Sequence, residues 1–375
     1  MKKITSAGPS ITNSEVENVL DAIKNGWHQN MSKHIDQFTE DFSSYIGVSY
    51  CLPTAHCTDA IHLAMLALNI GPGDEVIVPD LTWVASASPI VFVGATPVFA
   101  DVDPISWCIT ADSIKEKITP KTKAVIVVDL LGNIAEWNEI KALCINKGIR
   151  MIEDSAQALG SKYHGASAGS FGDISVFSFS PTKMITAGQG GAFCTNDEML
   201  YSRAKLFYHH GMDADISGKY YWSNILGYNY QWTNLQAALA HSQLKRIDEL
   251  IEYKIWLFNE YKKNLSQVDG ILLNTPSENI DSSYWITTVI VDEKYKLFKE
   301  NIIESFSKFY IDVRPLFYPI SAMPPFQEFV NDNMRSINPV AYSLSDKGIC
   351  LPSGNNLNKL DVEKICKVFK NILMH

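Results

Sequence analysis

Two residues of this chain, Lys183 and Asp154, have the types and surroundings of an active site that uses an organic cofactor. Lys183 ends the segment 178–183 (Ser-Phe-Ser-Pro-Thr-Lys), after a short apolar strand, and precedes the small-residue run 187–191. Asp154 closes an earlier apolar stretch, within Glu-Asp-Ser-Ala-Gln at 153–157. A lysine amine can form a Schiff base with pyridoxal phosphate (PLP), and a carboxylate can keep the pyridine nitrogen protonated. The pair predicts a PLP-dependent enzyme with Lys183 and Asp154 as catalytic residues.

Five further residues are candidate contacts to the same cofactor. Thr58 and Asp59 begin an apolar helix, where unpaired N–H groups and the helix dipole bind phosphate, and Ser178 can add a hydroxyl. The amide of Gln157 can hydrogen-bond the phenolic oxygen, and the indole of Trp83 can stack on the ring. Each residue also has an ordinary role open to it: Thr58 as a helix N-cap, Gln157 as a polar residue at a helix start, Trp83 in the core. The cofactor interpretation depends on the whole set lying together.

The elements that must position these residues alternate between strands and helices through the first two thirds of the chain. Apolar strands are predicted at 76–78, 123–128, 149–152, 174–179 and 191–194, and helices at 14–25, 59–68 and 135–147. In the first helix, Val16, Val19, Leu20 and Ile23 share one apolar face. Strands without alternation, separated by helices, predict an α/β fold with a mostly parallel central sheet covered by helices. Ligands of such sheets bind beyond the carboxyl ends of the strands.

The pattern changes after about Thr233, and this change predicts a second domain. The later elements are predicted at 234–262 (one long helix), 285–291 (a strand), 297–308 (a helix) and 361–373 (a helix). With 375 residues, the chain exceeds the size at which one core keeps growing. We predict a large cofactor-binding domain over residues 1–246, with an N-terminal arm, and a smaller C-terminal α+β domain over residues 247–375.

Composition excludes several other classes of function. The net charge of −9 argues against nucleic acid or an anionic membrane as a partner. No apolar run reaches membrane-spanning length, and the N-terminus lacks a secretory pattern. Seven cysteines without a Cys-x-x-Cys pair predict reduced thiols, and nine histidines show no metal-ligand spacing. We therefore expect a cytoplasmic protein without a metal site.

Several segments, taken in order, resemble the DegT/DnrJ-type sugar aminotransferases over about residues 17–373. They are 58–64, 71–79, 94–98, 153–157, 169–173, 181–183, 228–230 with 233–234, and 314–319. The resemblance implies a fold-type I, PLP-dependent homodimer with active sites at the subunit interface. It also implies that an oxidised sugar is aminated, with L-glutamate as the donor, for surface polysaccharides such as lipopolysaccharide and O-antigen.

The resemblance also implies roles for individual residues. Lys183 would be the Schiff-base lysine and proton shuttle, and the residues named above would hold PLP. Asn229 would reach the phosphate from the partner subunit, while Arg314 and Tyr318 match a segment near the substrate. A related sugar dehydratase has histidine in place of Lys183, so the lysine favours transamination.

The substrate remains open between two classes of sugar. The resemblance favours a nucleotide-linked 4-keto-6-deoxyhexose. An oxidised 3-deoxy-octulosonate, giving the 8-amino-3,8-dideoxy sugar, is the alternative, and a PLP-dependent sugar dehydratase is a third interpretation. Three departures from the family pattern bear on this choice: Cys57 where relatives commonly have Gly, Gln231 where they have Arg, and the Gly-Trp loop at 26–31. Loss of a guanidinium at 231 would weaken the grip on a phosphate.

Overall fold

The apolar runs of the first two thirds form a seven-stranded sheet in a computed structural model, which describes residues 3–213, 218–331 and 333–374. The α-helices, in chain order, are α1 (Asn13–Asn25), α2 (Lys33–Ile46), α3 (Cys57–Ala67), α4 (Ser88–Phe92), α5 (Ala111–Lys115), α6 (Trp137–Lys147), α7 (Glu198–Tyr208), α8 (Asn234–Leu244), α9 (Ile247–Leu265), α10 (Lys299–Ser307), α11 (Met334–Ile337), α12 (Pro339–Lys347) and α13 (Lys359–Met374). The strands are β1 (Tyr50–Thr54), β2 (Glu75–Pro79), β3 (Thr96–Ala100), β4 (Thr122–Val128), β5 (Arg150–Asp154), β6 (Lys162–Tyr163), β7 (Ala166–Ser167), β8 (Ile174–Ser178), β9 (Gly191–Thr195), β10 (Ile271–Leu273), β11 (Ile280–Asp281), β12 (Thr288–Val291), β13 (Arg314–Pro315) and β14 (Gly348–Cys350). None of these helices is long and apolar enough to cross a membrane.

The strand order of the large sheet is β1-β9-β8-β5-β4-β2-β3. Neighbours from β8 to β3 pair in parallel, whereas β9 is antiparallel to both β8 and β1. Residues such as Val76–Val78 and Ala124–Val127 are fully buried because helices cover both faces, which explains their uninterrupted apolar runs. The prediction of a mostly parallel sheet is confirmed. Its consequence is that Asp154, the last residue of β5, and Ser178, the last of β8, end at one edge.

Helix α1 places its predicted apolar face outward. Thr12 and Glu15 form a capping box at its start, and Ala22 is buried on the side that packs against α8. Val16, Leu20 and Ile23, in contrast, are each between 44% and 57% exposed, and Val19 is half-buried. Within residues 3–213, 218–331 and 333–374, no other element of the chain covers this apolar helix face.

The C-terminal part forms its own sheet and hydrophobic cluster. The sheet has the order β10-β12-β14-β13, and the buried cluster beside it includes Tyr261, Phe306, Phe369 and, from the N-terminus, Ile4. Ile4 also forms a parallel bridge with Ile311. The N-terminal segment thus crosses to the C-terminal core, and the predicted division at residues 246 and 247 stays a prediction.

The predicted long helix at 234–262 is two helices. α8 ends at Leu244 and α9 begins at Ile247, because Arg246 has φ −118° and ψ 25°. Its guanidinium lies 2.9 Å from the Glu15 carboxylate of α1 and 2.6 Å from Glu249. The helical pattern of the sequence does not show the break between α8 and α9, which occurs where Arg246 pairs with Glu15 of the distant helix α1.

Candidate active site

Asp154 lies buried at the carboxyl end of β5 and is held by two donors. The Ser86 hydroxyl donates to its Oδ2 at 2.7 Å, and the backbone N–H of Ala156 donates to its Oδ1 at 3.2 Å. Burial raises the pKa of Asp154, while these hydrogen bonds and the charge of Lys183 oppose the rise. A buried carboxylate so oriented is suited to face a cationic group of a ligand.

Lys183 lies in the turns that follow β8, and its side chain is half-buried. Burial lowers the pKa of Lys183 to about 8, against the opposing effects of Asp154 and then Cys57. The structure thus brings Lys183, Asp154 and Cys57 into electrostatic contact, and we call these three residues the Lys183 cluster. An amine that loses its proton near neutral pH can act as a nucleophile and as a base.

The N-terminus of α3 borders the cluster and has the shape of an anion site. His56 precedes the helix without a side-chain cap, so its first N–H groups remain available. A Cβ atom at Gly191 would lie 2.5 Å from the backbone N of Cys57, so only glycine leaves this space open. Ser178 pairs with Gly191 across β8 and β9. Thr58 and Asp59 follow in the first turn, and the site therefore fits a phosphate group.

Asp59 adds a carboxylate to the same helix start. Burial raises its pKa, while the ring nitrogen of His56, 3.3 Å from Oδ2, opposes the rise. Repulsion between Asp59 and a phosphate is reduced when Asp59 is protonated or paired with a charged His56. We therefore regard the backbone amides as the main anion-binding groups of this turn.

Trp83 and Gln157 lie on the two segments that flank Asp154. Trp83 starts the turn that contains Ser86, and its indole is 58% exposed, with its ring centre 6.1 Å from that of Phe317. An exposed indole beside a buried acid can stack on a flat ligand. The Oε1 of buried Gln157 accepts the Leu131 N–H at 3.1 Å, which fixes the amide and leaves its NH₂ as a donor among the described contacts.

Three predicted site residues make no described contact with the Lys183 cluster. Asn229 is exposed and bridges to His209, outside the edge strand β1. Arg314 forms an ion pair with Asp312 at 3.1 Å. Tyr318 is 48% exposed. The described contacts of these side chains do not include Lys183 or Asp154, so their roles stay predictions.

Sequence reasoning missed three residues that contact predicted site residues. The Ser86 hydroxyl donates to the Asp154 carboxylate, and the sequence hinted at this residue only through its position three residues after Trp83. The ring centre of Trp285 lies 3.6 Å from the Nζ of Lys183, and the ammonium of buried Lys299 lies 3.8 Å from the ring centre of Tyr318. The sequence around Trp285 or Lys299 does not indicate a role in the site, because both residues are more than 100 positions away from Lys183 in the chain.

Comparisons with known proteins show which aminotransferases the whole chain is similar to. Residues 9–370 match the DegT/DnrJ/EryC1/StrS aminotransferase family. The chain is 35% identical to the GDP-perosamine synthase of Vibrio cholerae, covering 97% of each chain, and 36% identical to that of Escherichia coli O157:H7, covering 98% of each. Among solved structures, a protein of Streptococcus pneumoniae assigned as a sugar aminotransferase superposes with a TM-score of 0.91 in its PLP form and 0.92 in its PMP form. It is 26% identical, and the PLP-form match covers 100% of this chain and 99% of that one.

Proposed function

The chain belongs to the DegT/DnrJ/EryC1/StrS aminotransferase family, and we propose that this PLP-dependent aminotransferase transfers the amino group of L-glutamate to a nucleotide-linked 4-keto-6-deoxyhexose for surface-polysaccharide biosynthesis. The observation that carries the proposal is the Lys183 cluster, in which a buried acid and a lysine with a lowered pKa act on each other. The full-length similarity to proteins named GDP-perosamine synthases supports a GDP-linked sugar as substrate.

The N-terminus of α3 would hold the phosphate of PLP. The backbone N–H groups of Thr58 and Asp59 and the hydroxyl of Ser178 are the proposed donors, and Gly191 keeps the space open. This assignment is supported by the absence of a side-chain cap on that helix. A phosphate there would satisfy backbone donors for which the described residues supply no hydrogen-bond partner.

The ring of PLP would lie between Trp83 and the carboxyl end of β5. Asp154 would face the ring nitrogen, Trp83 would stack on one face, and the NH₂ of Gln157 would donate to the phenolic oxygen. When bound, PLP supplies an electron-accepting ring that carries the amino group from donor to acceptor. Ser86 holds the Asp154 carboxylate in place by its hydrogen bond of 2.7 Å.

Lys183 would carry protons at its Nζ atom. With a pKa of about 8, its amine exists in both protonation states near neutral pH, so it can accept a proton and return it. Asp154 and Cys57 are the other titratable groups in electrostatic contact with it. Because the pKa of the Cys57 thiol is raised by burial, we assign this thiol no proton-transfer role.

We propose that two copies form a homodimer in the cytoplasm, with active sites at the interface. Two exposed apolar surfaces support it: the α1 face of Val16, Leu20 and Ile23, and the segment with Tyr220, Tyr221 and Trp222. Such surfaces are unusual on a monomer and typical of interfaces. In this arrangement Asn229 of the partner subunit would complete the phosphate site.

A panel of substrates tests the proposed reaction. The purified protein with PLP and L-glutamate is offered GDP-, dTDP- and UDP-linked 4-keto-6-deoxyhexoses and an oxidised 3-deoxy-octulosonate, while 2-oxoglutarate is measured. We expect one 2-oxoglutarate per aminated sugar, with the GDP-linked sugar reacting fastest. Activity only with the octulosonate would replace the proposed substrate. Deoxygenated product without stoichiometric 2-oxoglutarate would instead indicate a dehydratase.

The Lys183→Ala variant tests the role of the amine within this reaction. We expect it to bind the cofactor's phosphate and ring through the remaining contacts but to lose multiple turnovers, because no group then moves the proton. Lys245→Ala, at an exposed position after α8, is the control with full activity. Sustained turnover by Lys183→Ala would contradict the assignment.

A further inference from the structure

The amine of Lys183 lies on the face of an indole from the C-terminal half of the chain. Its Nζ is 3.6 Å from the centre of the Trp285 ring, within the range in which a cation is attracted by the ring. The Nε1–H of Trp285 donates to the carbonyl of Thr182 at 2.6 Å, directly before the lysine. The indole therefore contacts the amine at the end of the Lys183 side chain and the backbone of the preceding residue, Thr182.

The indole is itself held rigidly. Trp285 is 6% exposed, and its carbonyl accepts a hydrogen bond from the Nζ of buried Lys254 at 3.3 Å. Lys254 also donates to the carbonyl of Ser353, so it ties two C-terminal segments together. Upstream, the backbone N–H of Ser283 donates to the Ser161 hydroxyl at 2.9 Å. These hydrogen bonds fix the backbone on which the ring beside Lys183 is carried.

We propose that Trp285 is a positioning residue that holds the amine of Lys183 whenever that amine is not joined to the cofactor. The inference rests on the proposed function, because a transamination releases the lysine amine in one half-reaction and needs it back in the other. A ring face attracts the protonated amine and not the neutral one. Trp285 would therefore keep the released amine charged and close, while the loss of its proton frees it to react.

Replacement of the ring face has a specific expected result. Trp285→Leu keeps the site apolar but removes the attraction for the ammonium, whereas Trp285→Phe keeps a ring face and removes only the N–H. In apoenzyme, the rate of PLP capture is followed by absorbance across pH, since only the neutral amine reacts. We expect the midpoint of this profile to fall by about one pH unit in Trp285→Leu and to stay near the wild-type value in Trp285→Phe.

The groups that face Lys183 are unchanged in these variants. Asp154 on β5 and Cys57 on α3 act on the lysine in every one of them, so the difference between leucine and phenylalanine reports the ring. Trp256→Phe, at a half-buried tryptophan on α9, is the control and should leave the midpoint unchanged. A folded Trp285→Leu protein with the wild-type midpoint would show that Trp285 is only a core residue.

A fluorescence comparison covers the case in which the leucine variant does not fold. In apoenzyme, Lys183→Ala should change the tryptophan emission when Trp285 is present and leave it unchanged in the Trp285→Phe background. Equal changes in both backgrounds would overturn the proposal. Neither measurement uses a sugar, so the two proposals can fail separately. If the protein shows both effects but aminates none of the tested sugars, the proposed function is wrong and this inference stands.

Discussion

Burial acts on Lys183 and Asp154 in opposite directions. It lowers the pKa of the lysine to about 8 and raises the pKa of the acid, because a low-dielectric site disfavours both charged forms. Each group opposes the shift of the other. The proton affinities of the two groups are therefore brought closer together than in water, which suits a site that moves protons at neutral pH.

The pKa of Lys183 predicts the pH dependence of PLP capture by the apoenzyme. Below about pH 8 the amine is mostly protonated, so the capture rate should rise roughly tenfold per pH unit and level off above it. Stopped-flow absorbance between pH 6 and 10 checks this. A plateau reached only near the pKa of an ordinary lysine would show that burial does not act on this amine.

Removal of the Ser86 hydroxyl should weaken the site through Asp154. Without this hydrogen bond the pKa of Asp154 rises further, and kcat/KM should fall by about tenfold, with the acid limb of its pH profile moved upward. Ser88→Ala is the matched control, since that hydroxyl donates to the carbonyl of Val84 in the same segment. An unshifted acid limb in Ser86→Ala would show that Ser86 does not act on the reaction through Asp154.

At the scale of elements, the close approach of β9 and α3 forms the proposed phosphate site. β9 runs antiparallel to its neighbours, so its first residue, Gly191, lies at the edge where β8 ends with Ser178. A side chain at Gly191 would meet the backbone of the first turn of α3. The positions of whole elements, and not of one loop, therefore leave room for the anion.

Gly191→Ala should reduce PLP affinity by roughly 5- to 150-fold, because the added methyl group displaces the first turn of α3 at a cost of roughly 1–3 kcal/mol. Equilibrium dialysis of PLP and the melting temperature with and without PLP measure the effect. Gly71→Ala is the control, since the nearest atom to its Cβ is 3.8 Å away. Wild-type affinity in Gly191→Ala would place the phosphate elsewhere.

For the whole molecule, the exposed α1 face is the feature that one chain does not explain. The opposite side of α1 packs on α8, and Asn18 donates to the Ser242 hydroxyl there at 2.6 Å. The helix is thus firmly attached while Val16, Leu20 and Ile23 remain exposed. A second copy of the chain that covers this face would remove its apolar area from water.

Leu20→Glu should weaken the proposed homodimer by roughly 100-fold or more, because a carboxylate would be buried without a partner. Sedimentation at several protein concentrations measures the dissociation, and activity should fall with the dimer fraction. Ile145→Glu introduces the same charge at an exposed apolar residue of α6 and should leave the dimer intact. A Leu20→Glu protein that stays dimeric would place the interface elsewhere.

The pattern of residues determined the central sheet, because strands buried on both faces must be apolar throughout. It also determined the candidate pair Lys183 and Asp154, since Asp154 ends one strand and Lys183 follows another. Only the tertiary structure joined Ser86 to Asp154 across 68 positions and Trp285 to the backbone before Lys183 across 103. The break between α8 and α9 is of the same kind, with Arg246 paired to Glu15, 231 positions away. Local sequence carries burial and turn signals, whereas a hydrogen bond between distant segments depends on where the packed core places both of them.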